Sequence, residues 1–122
     1  MKYLCMVIVD EKKLKAMPKR DAQALDDESL GYDDSLRNAG HFVAAQALQP
    51  VSTAKTLRLR NGKVSVTDGP FAETKEQVGG FILIEAKNLK EAIKLAAKIP
   101  ALRLGAVEVR PVQELVASIA RK

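Results

Sequence analysis

The chain has 122 residues, 47% of them hydrophobic, and a formal net charge of +5. It is long enough to bury one aliphatic core without staples, and its single cysteine excludes an internal disulfide and fits a reducing compartment. Aromatics make up only 4% with no Trp, and the 20 basic residues are scattered among 15 acidic ones. Both features argue against direct nucleic-acid binding by stacked rings or a basic block.

Residues 3–9 (Tyr3 to Val9) are apolar at every position, which predicts a central strand with both faces covered. Cys5 inside it is expected as a small buried hydrophobe. The run stops at Asp10-Glu11-Lys12-Lys13, too short for a signal peptide or a membrane span, so the reading is a soluble cytoplasmic protein. The polar stretch from Asp10 to Lys19 ends near Pro18, which can open a helix. Over 20–39 the residues Ala22, Leu25, Tyr32, Leu36 and Ala39 form one apolar stripe, predicting that helix. Gly31 offers a place for a break and Gly40 a stop. Asp21, Asp26, Asp27, Glu28, Asp33 and Asp34 take the solvent face, which reads either as plain surface or as a docking face for a basic partner.

A second strand is expected over 41–48. Thr56–Arg60 and Lys63–Thr67 then flank Asn61-Gly62, the preferred pair for a two-residue type I′ hairpin. That register puts Leu57, Leu59, Val64 and Val66 on one face and Thr56, Arg58, Arg60, Lys63, Ser65 and Thr67 on a wet one. By the same parity Asp68 points to the apolar side. It is read either as a cap for its own turn or as an acid/base group facing a pocket.

Phe81-Ile82-Leu83-Ile84 predicts a second central strand, and Gly79-Gly80 before it permits a bulge or a close backbone approach. Asn88 with Glu91 makes a capping box for a helix whose buried stripe is Leu89, Ala92, Ile93, Ala96 and Ile99, ended by Pro100. Val107–Arg110 is a last strand, and Val112 to Ile119 is expected to add a helical turn or two. No linker divides the chain, so 1–122 is read as one domain. The order strand, helix, strand, inserted hairpin, strand, helix, strand predicts an α+β fold, a ferredoxin-like antiparallel sheet with two helices on one face. The second sheet face then needs a cover, and a second copy of the chain is the simplest one.

Metal-ligand spacing is absent, no Gly-rich phosphate loop occurs, and no cofactor is expected. The one histidine, His41, sits just past a helix end, where a structural role is expected. The ionisable run after Asp68 supplies the candidate ligand-binding residues: Glu73, Lys75 and Glu76, with Arg58 on the adjacent hairpin. If 71–77 forms a helical turn, Glu73 and Glu76 share a face and repel unless Lys75 or an arginine intervenes. Such a mixture could bind a small polar or anionic metabolite.

The tetrapeptide Asp68-Gly69-Pro70-Phe71, with the Glu73–Gln77 run and Gly79-Gly80-Phe81 after it, resembles the DGPF group of YCII-related proteins. The resemblance spans the chain, from Met1-Lys2-Tyr3 to Val107–Val112. It implies a dimeric α/β barrel, two sheets packed around a central cleft, and so a homodimer with a polar pocket near Asp68 and room for a weak enzymatic activity. Some YCII-like proteins carry a histidine–aspartate acid–base pair, but the first helix here has no histidine, so that histidine does not carry over, and neither the pair nor its activity follows from the resemblance. The alternative that the resemblance implies is a non-catalytic regulatory module associated with sigma factors and transcription initiation.

Overall fold

The computed structural model describes residues 1–118. Strand β1 (Lys2–Asp10) is followed by two helices, α1 (Glu11–Ala16) and α2 (Lys19–Asn38), and by β2 (Phe42–Ala47). A ribbon of β3 (Lys55–Arg60) and β4 (Lys63–Asp68) leads into β5 (Glu76–Glu85), then α3 (Leu89–Ala96) and β6 (Gly105–Pro111). The main sheet has the order β2-β5-β1-β6, every pair antiparallel, while β3 and β4 form a separate two-stranded sheet. The chain is thus α+β, compatible with the ferredoxin-like arrangement that the element order predicts. No described helix is long and apolar enough to cross a membrane.

β1 and β5 sit in the middle of the sheet, as their continuous apolar runs require. Tyr3, Cys5, Val7 and Val9 alternate with half-buried neighbours along β1 and pack with Ile82 and Ile84 of β5. Leu36 of α2, Ala92 and Ala96 of α3, and Ile99 complete this cluster, with Leu14 of α1 against it. Tyr32 Oη donates to the Leu95 carbonyl at 2.6 Å and ties α2 to α3. Glu28 holds Arg103 through two contacts of 2.9 and 3.2 Å. All three helices therefore lie on one side. On the other, Leu4, Met6 and Ile8 pair across to Leu83, Phe81 and Val78, and these side chains are only partly buried.

Several local expectations change. The polar stretch after β1 contains α1, because Asp10 caps it by accepting from Lys12 N at 3.0 Å; a strand-end aspartate supplies the start signal. Helix α2 runs unbroken through Gly31 and stops before Gly40, at φ +81°. Helix α3 ends at Ala96, short of Pro100, and a 3-10 turn covers Pro100–Leu104. Its stripe is only half buried: Ala92, Ala96 and Ile99 are inside, whereas Leu89 and Ile93 are 47% and 52% exposed. The expected terminal helix is absent over 112–118, and Ile119 lies outside the described residues.

The ribbon has the expected register, Leu57 opposite Val66 and Leu59 opposite Val64, around Asn61 and Gly62 at φ +50° and +77°. Its burial is reversed. The apolar four are 60–71% exposed, while Thr56, Arg58 and Ser65 on the supposed wet face are half-buried.

Candidate functional site

The ribbon continues the β2–β5 pair past the end of the main sheet. Leu48 N still donates to the Gly79 carbonyl, after which the two chains diverge. At the ribbon's base Gly69, at φ +100°, donates its N–H to the Ala54 carbonyl, and Thr56 Oγ1 donates to the Gly69 carbonyl, both at 2.8 Å. The Gly69-Pro70 corner is thus fixed by the start of β3. Asp68 does not cap its own turn; its Oδ1 accepts from Lys55 Nζ at 2.6 Å, and its side chain is 87% exposed. Asp68 lies on the ribbon's apolar face, as alternation predicts, but that face is open, so the carboxylate is solvated.

Arg58 projects from the opposite face, and its guanidinium lies 5.3 Å from the centre of the Phe71 ring. Stacking of this kind orients the planar fork while leaving its N–H edges able to meet an anion. Phe71 itself is 80% exposed. Residues 71–75 make bends and Glu76 already begins β5. The helical turn is therefore not formed, and Glu73 and Glu76 share no helix face. The segment is instead held by Gln77, whose Nε2 donates to the Ala72 and Thr74 carbonyls at 2.7 and 3.2 Å, and by Thr74 Oγ1 donating to the Glu76 carbonyl at 2.6 Å. Glu73, Lys75 and Glu76 are all exposed.

Where this segment joins the sheet, the register slips between Val7 and Ile8, leaving Gly79 as the bulged residue. A Cβ on Gly80 would stand 2.8 Å from the Gln46 carbonyl oxygen, and one on Gly79 would stand 2.7 Å from Val9 Cγ2. Both expectations for the pair, bulge and close approach, are met. Two acidic side chains from the polar stretch after β1 also serve here. Asp10, 5% exposed, pairs in register with Glu76. Glu11 accepts the Val51 N–H at 2.9 Å and fixes the turn leading into β3. An aspartate closing an apolar run was the available signal.

His41 is elsewhere. Its Nδ1 donates to the Glu85 carbonyl at 2.8 Å, and Glu85 N donates back to the His41 carbonyl. Glu85 and Glu76 are the two ends of β5, about 30 Å of strand apart, so His41 and Asp68 make no pair within one chain. Cys5 is fully buried, which pushes its thiol up to about 11, far from a reactive thiolate. Among the described residues no three His, Cys, Asp or Glu side chains stand together as a metal site.

What the structure brings together is Lys55 with Asp68, and Arg58 with Phe71, on a ribbon beside the exposed Glu73–Glu76 strip. That arrangement can present charge to a small polar ligand but does not enclose one. A sequence model of the YCII-related domain matches residues 1–116. An uncharacterized protein of Rhizobium meliloti (strain 1021) is 34% identical over 113 residues, 91% of this chain and 91% of its own length. With both matches running nearly end to end, the chain belongs to the YCII-related domain family.

Proposed function

We propose that the protein works as a homodimer of the dimeric α/β-barrel type. The second copy covers the open sheet face and the ribbon, and the cleft so closed takes a small polar or anionic metabolite. The observation that carries this reading is the ribbon's open apolar face: Leu57, Leu59, Val64 and Val66 are 60–71% exposed while Thr56, Arg58 and Ser65 opposite are half-buried. Covering them would contribute about 1–2 kcal/mol for each side chain. A stable dimer buries about 800 Å² per partner, more than four such side chains offer, so the face of Leu4, Met6, Ile8, Phe81 and Leu83 joins the interface. Asp68, on the ribbon's apolar side, then borders the cleft as the acid/base candidate. Arg58, Glu73, Lys75 and Glu76 supply ligand contacts, and any enzymatic activity is weak.

Sedimentation equilibrium combined with thermal melting against a panel of small anionic and polar metabolites tests it. The expected result is a dimer whose melting point rises with a ligand, by an amount equivalent to about 2.7 kcal/mol at a hundred times the dissociation constant. A monomer that responds to none overturns the reading.

A second reading is favoured by one observation on α2. Leu30 is 64% exposed and is flanked at four and three residues on either side by Asp26, Asp27, Asp33 and Asp34. An apolar anchor inside an acidic ring suits a basic protein partner, as a non-catalytic module associated with sigma factors would require. Charge reversal at those four aspartates would abolish capture of such a factor under that reading, and Asp68→Asn would not.

A further inference from the structure

An open groove of about 320 Å³ runs between α3 and β6, lined by Ile93, Ala96, Ala97, Leu102, Val107 and Val109. Every lining side chain is apolar, so nothing in the wall would orient a polar ligand. Beyond β6 the chain carries Val112, Leu115, Val116 and Ile119, the spacing of one helical face. Yet Leu115 and Val116 are 90% and 91% exposed. Among the described residues nothing fills this groove, and the apolar side chains that follow β6 are uncovered.

We propose that this groove is the docking site of the chain's own C-terminal segment, with Leu115 and Val116 seated against Ile93. Reach is not an obstacle. Ala86 N bonds the Met1 carbonyl and Val112 N bonds the Lys2 carbonyl, so α3 begins at the same end of the sheet where the segment leaves it. As one helical turn, Val112 to Val116 advances about 6 Å, and Leu89 to Ile93 is likewise about 6 Å along α3. Leu89 and Ile93, the two exposed apolar residues of α3, mark the track. Charge agrees as well: Glu114 adjoins Leu115, while Lys90 and Lys94 stand exposed on α3. The occupant is the chain itself because so short a tether gives an effective concentration in the mM range, which a second copy in dilute solution does not reach. Docked there, the segment also lies beside β6, which among the described residues pairs with β1 alone. The groove is on the helix side, away from the sheet face assigned to the second copy, so this inference does not depend on the dimer.

The test uses the chain's lack of accessible cysteine, since Cys5 is fully buried. Ile93→Cys with Val116→Cys is oxidised mildly and compared with Leu30→Cys with Val116→Cys, whose first position is exposed on α2. A disulfide within one chain, forming about tenfold faster than in the control and independent of protein concentration, is expected. Equal rates in the two pairs, or links only between chains, overturn the proposal. Independently, the variant Ile93→Cys is labelled with a bulky maleimide in the full chain, with and without Leu115→Asp and Val116→Asp. Labelling about fivefold faster with the two aspartates is expected. The same rate in both means the groove is open and the proposal fails.

Discussion

Lys55 and Asp68 face each other across the first pair of the β3–β4 ribbon, Nζ to Oδ1 at 2.6 Å, with side chains 59% and 87% exposed. An ion pair so wet contributes at most about 1 kcal/mol, and the turn beside it is held by the Gly69 N–H donating to the Ala54 carbonyl. Asp68→Asn is therefore expected to cost less than about 1 kcal/mol, measured by denaturant unfolding. If Asp68 borders a metabolite cleft, the same folded variant loses the ligand-induced rise in melting point. A large stability loss would instead assign Asp68 to holding the corner.

The uncovered faces make a second prediction. An aspartate at Leu59 or Leu83 should convert a dimer to monomer by sedimentation equilibrium, because each inserts a charge into apolar contact. Leu30→Asp, about as exposed at the outset as Leu59 but on the helix side, should leave the proposed dimer intact. Dissociation by Leu30→Asp alone would move the interface to α2.

The central places of β1 and β5 and the hairpin register were legible because they rest on local rules: continuous apolar runs for the two strands, and alternation around Asn61-Gly62 for the ribbon. What parity could not convey was which ribbon face is covered. Alternation says that Leu57, Leu59, Val64 and Val66 belong together, not that the same chain supplies their neighbours. For the same reason alternation puts Asp68 on the apolar side without saying whether that side is open. Helix α1 was hidden because Glu11–Ala16 holds six residues and no buried one, so no apolar stripe betrays it. The 71–77 strip has helix-forming residues, but Thr74, Gln77 and the start of β5 override that propensity. Helix α3 was overextended because Ile99 stays in phase with Ala92 and Ala96 though it lies in the turn after the helix.

Glycine gives a paired test. In Gly80→Ala the new Cβ meets the Gln46 carbonyl oxygen at 2.8 Å, a backbone contact that cannot rotate away, so a loss of about 1–3 kcal/mol is expected. Gly31→Ala places a Cβ in open space within α2, where alanine is favoured over glycine by about 0.8–1 kcal/mol. Denaturant midpoints should therefore move in opposite directions. A gain from Gly80→Ala would mean that β2 and β5 are not closely apposed there.

Cys5 sets an alkaline limit. Burial raises its thiol from the ordinary 9.0 to about 11, so the folded chain holds this proton more tightly than the unfolded one. Below pH 9 neither state has lost it, and stability is unaffected. Between 9 and 11 the unfolded state releases the proton first, and stability falls as pH rises, by on the order of 2 kcal/mol from this group. Cys5→Ala removes the titration, although it loses some core packing. Its unfolding free energy should start lower at pH 8 and then decline less steeply to pH 11 than that of the unchanged chain. Equal slopes would show that the thiol ionises as readily inside the fold as outside it. Native labelling by a thiol reagent gives the companion check: Cys5 should stay unmodified at pH 8 until denaturant is added, because reaction needs an exposed thiolate and the fold supplies neither exposure nor charge.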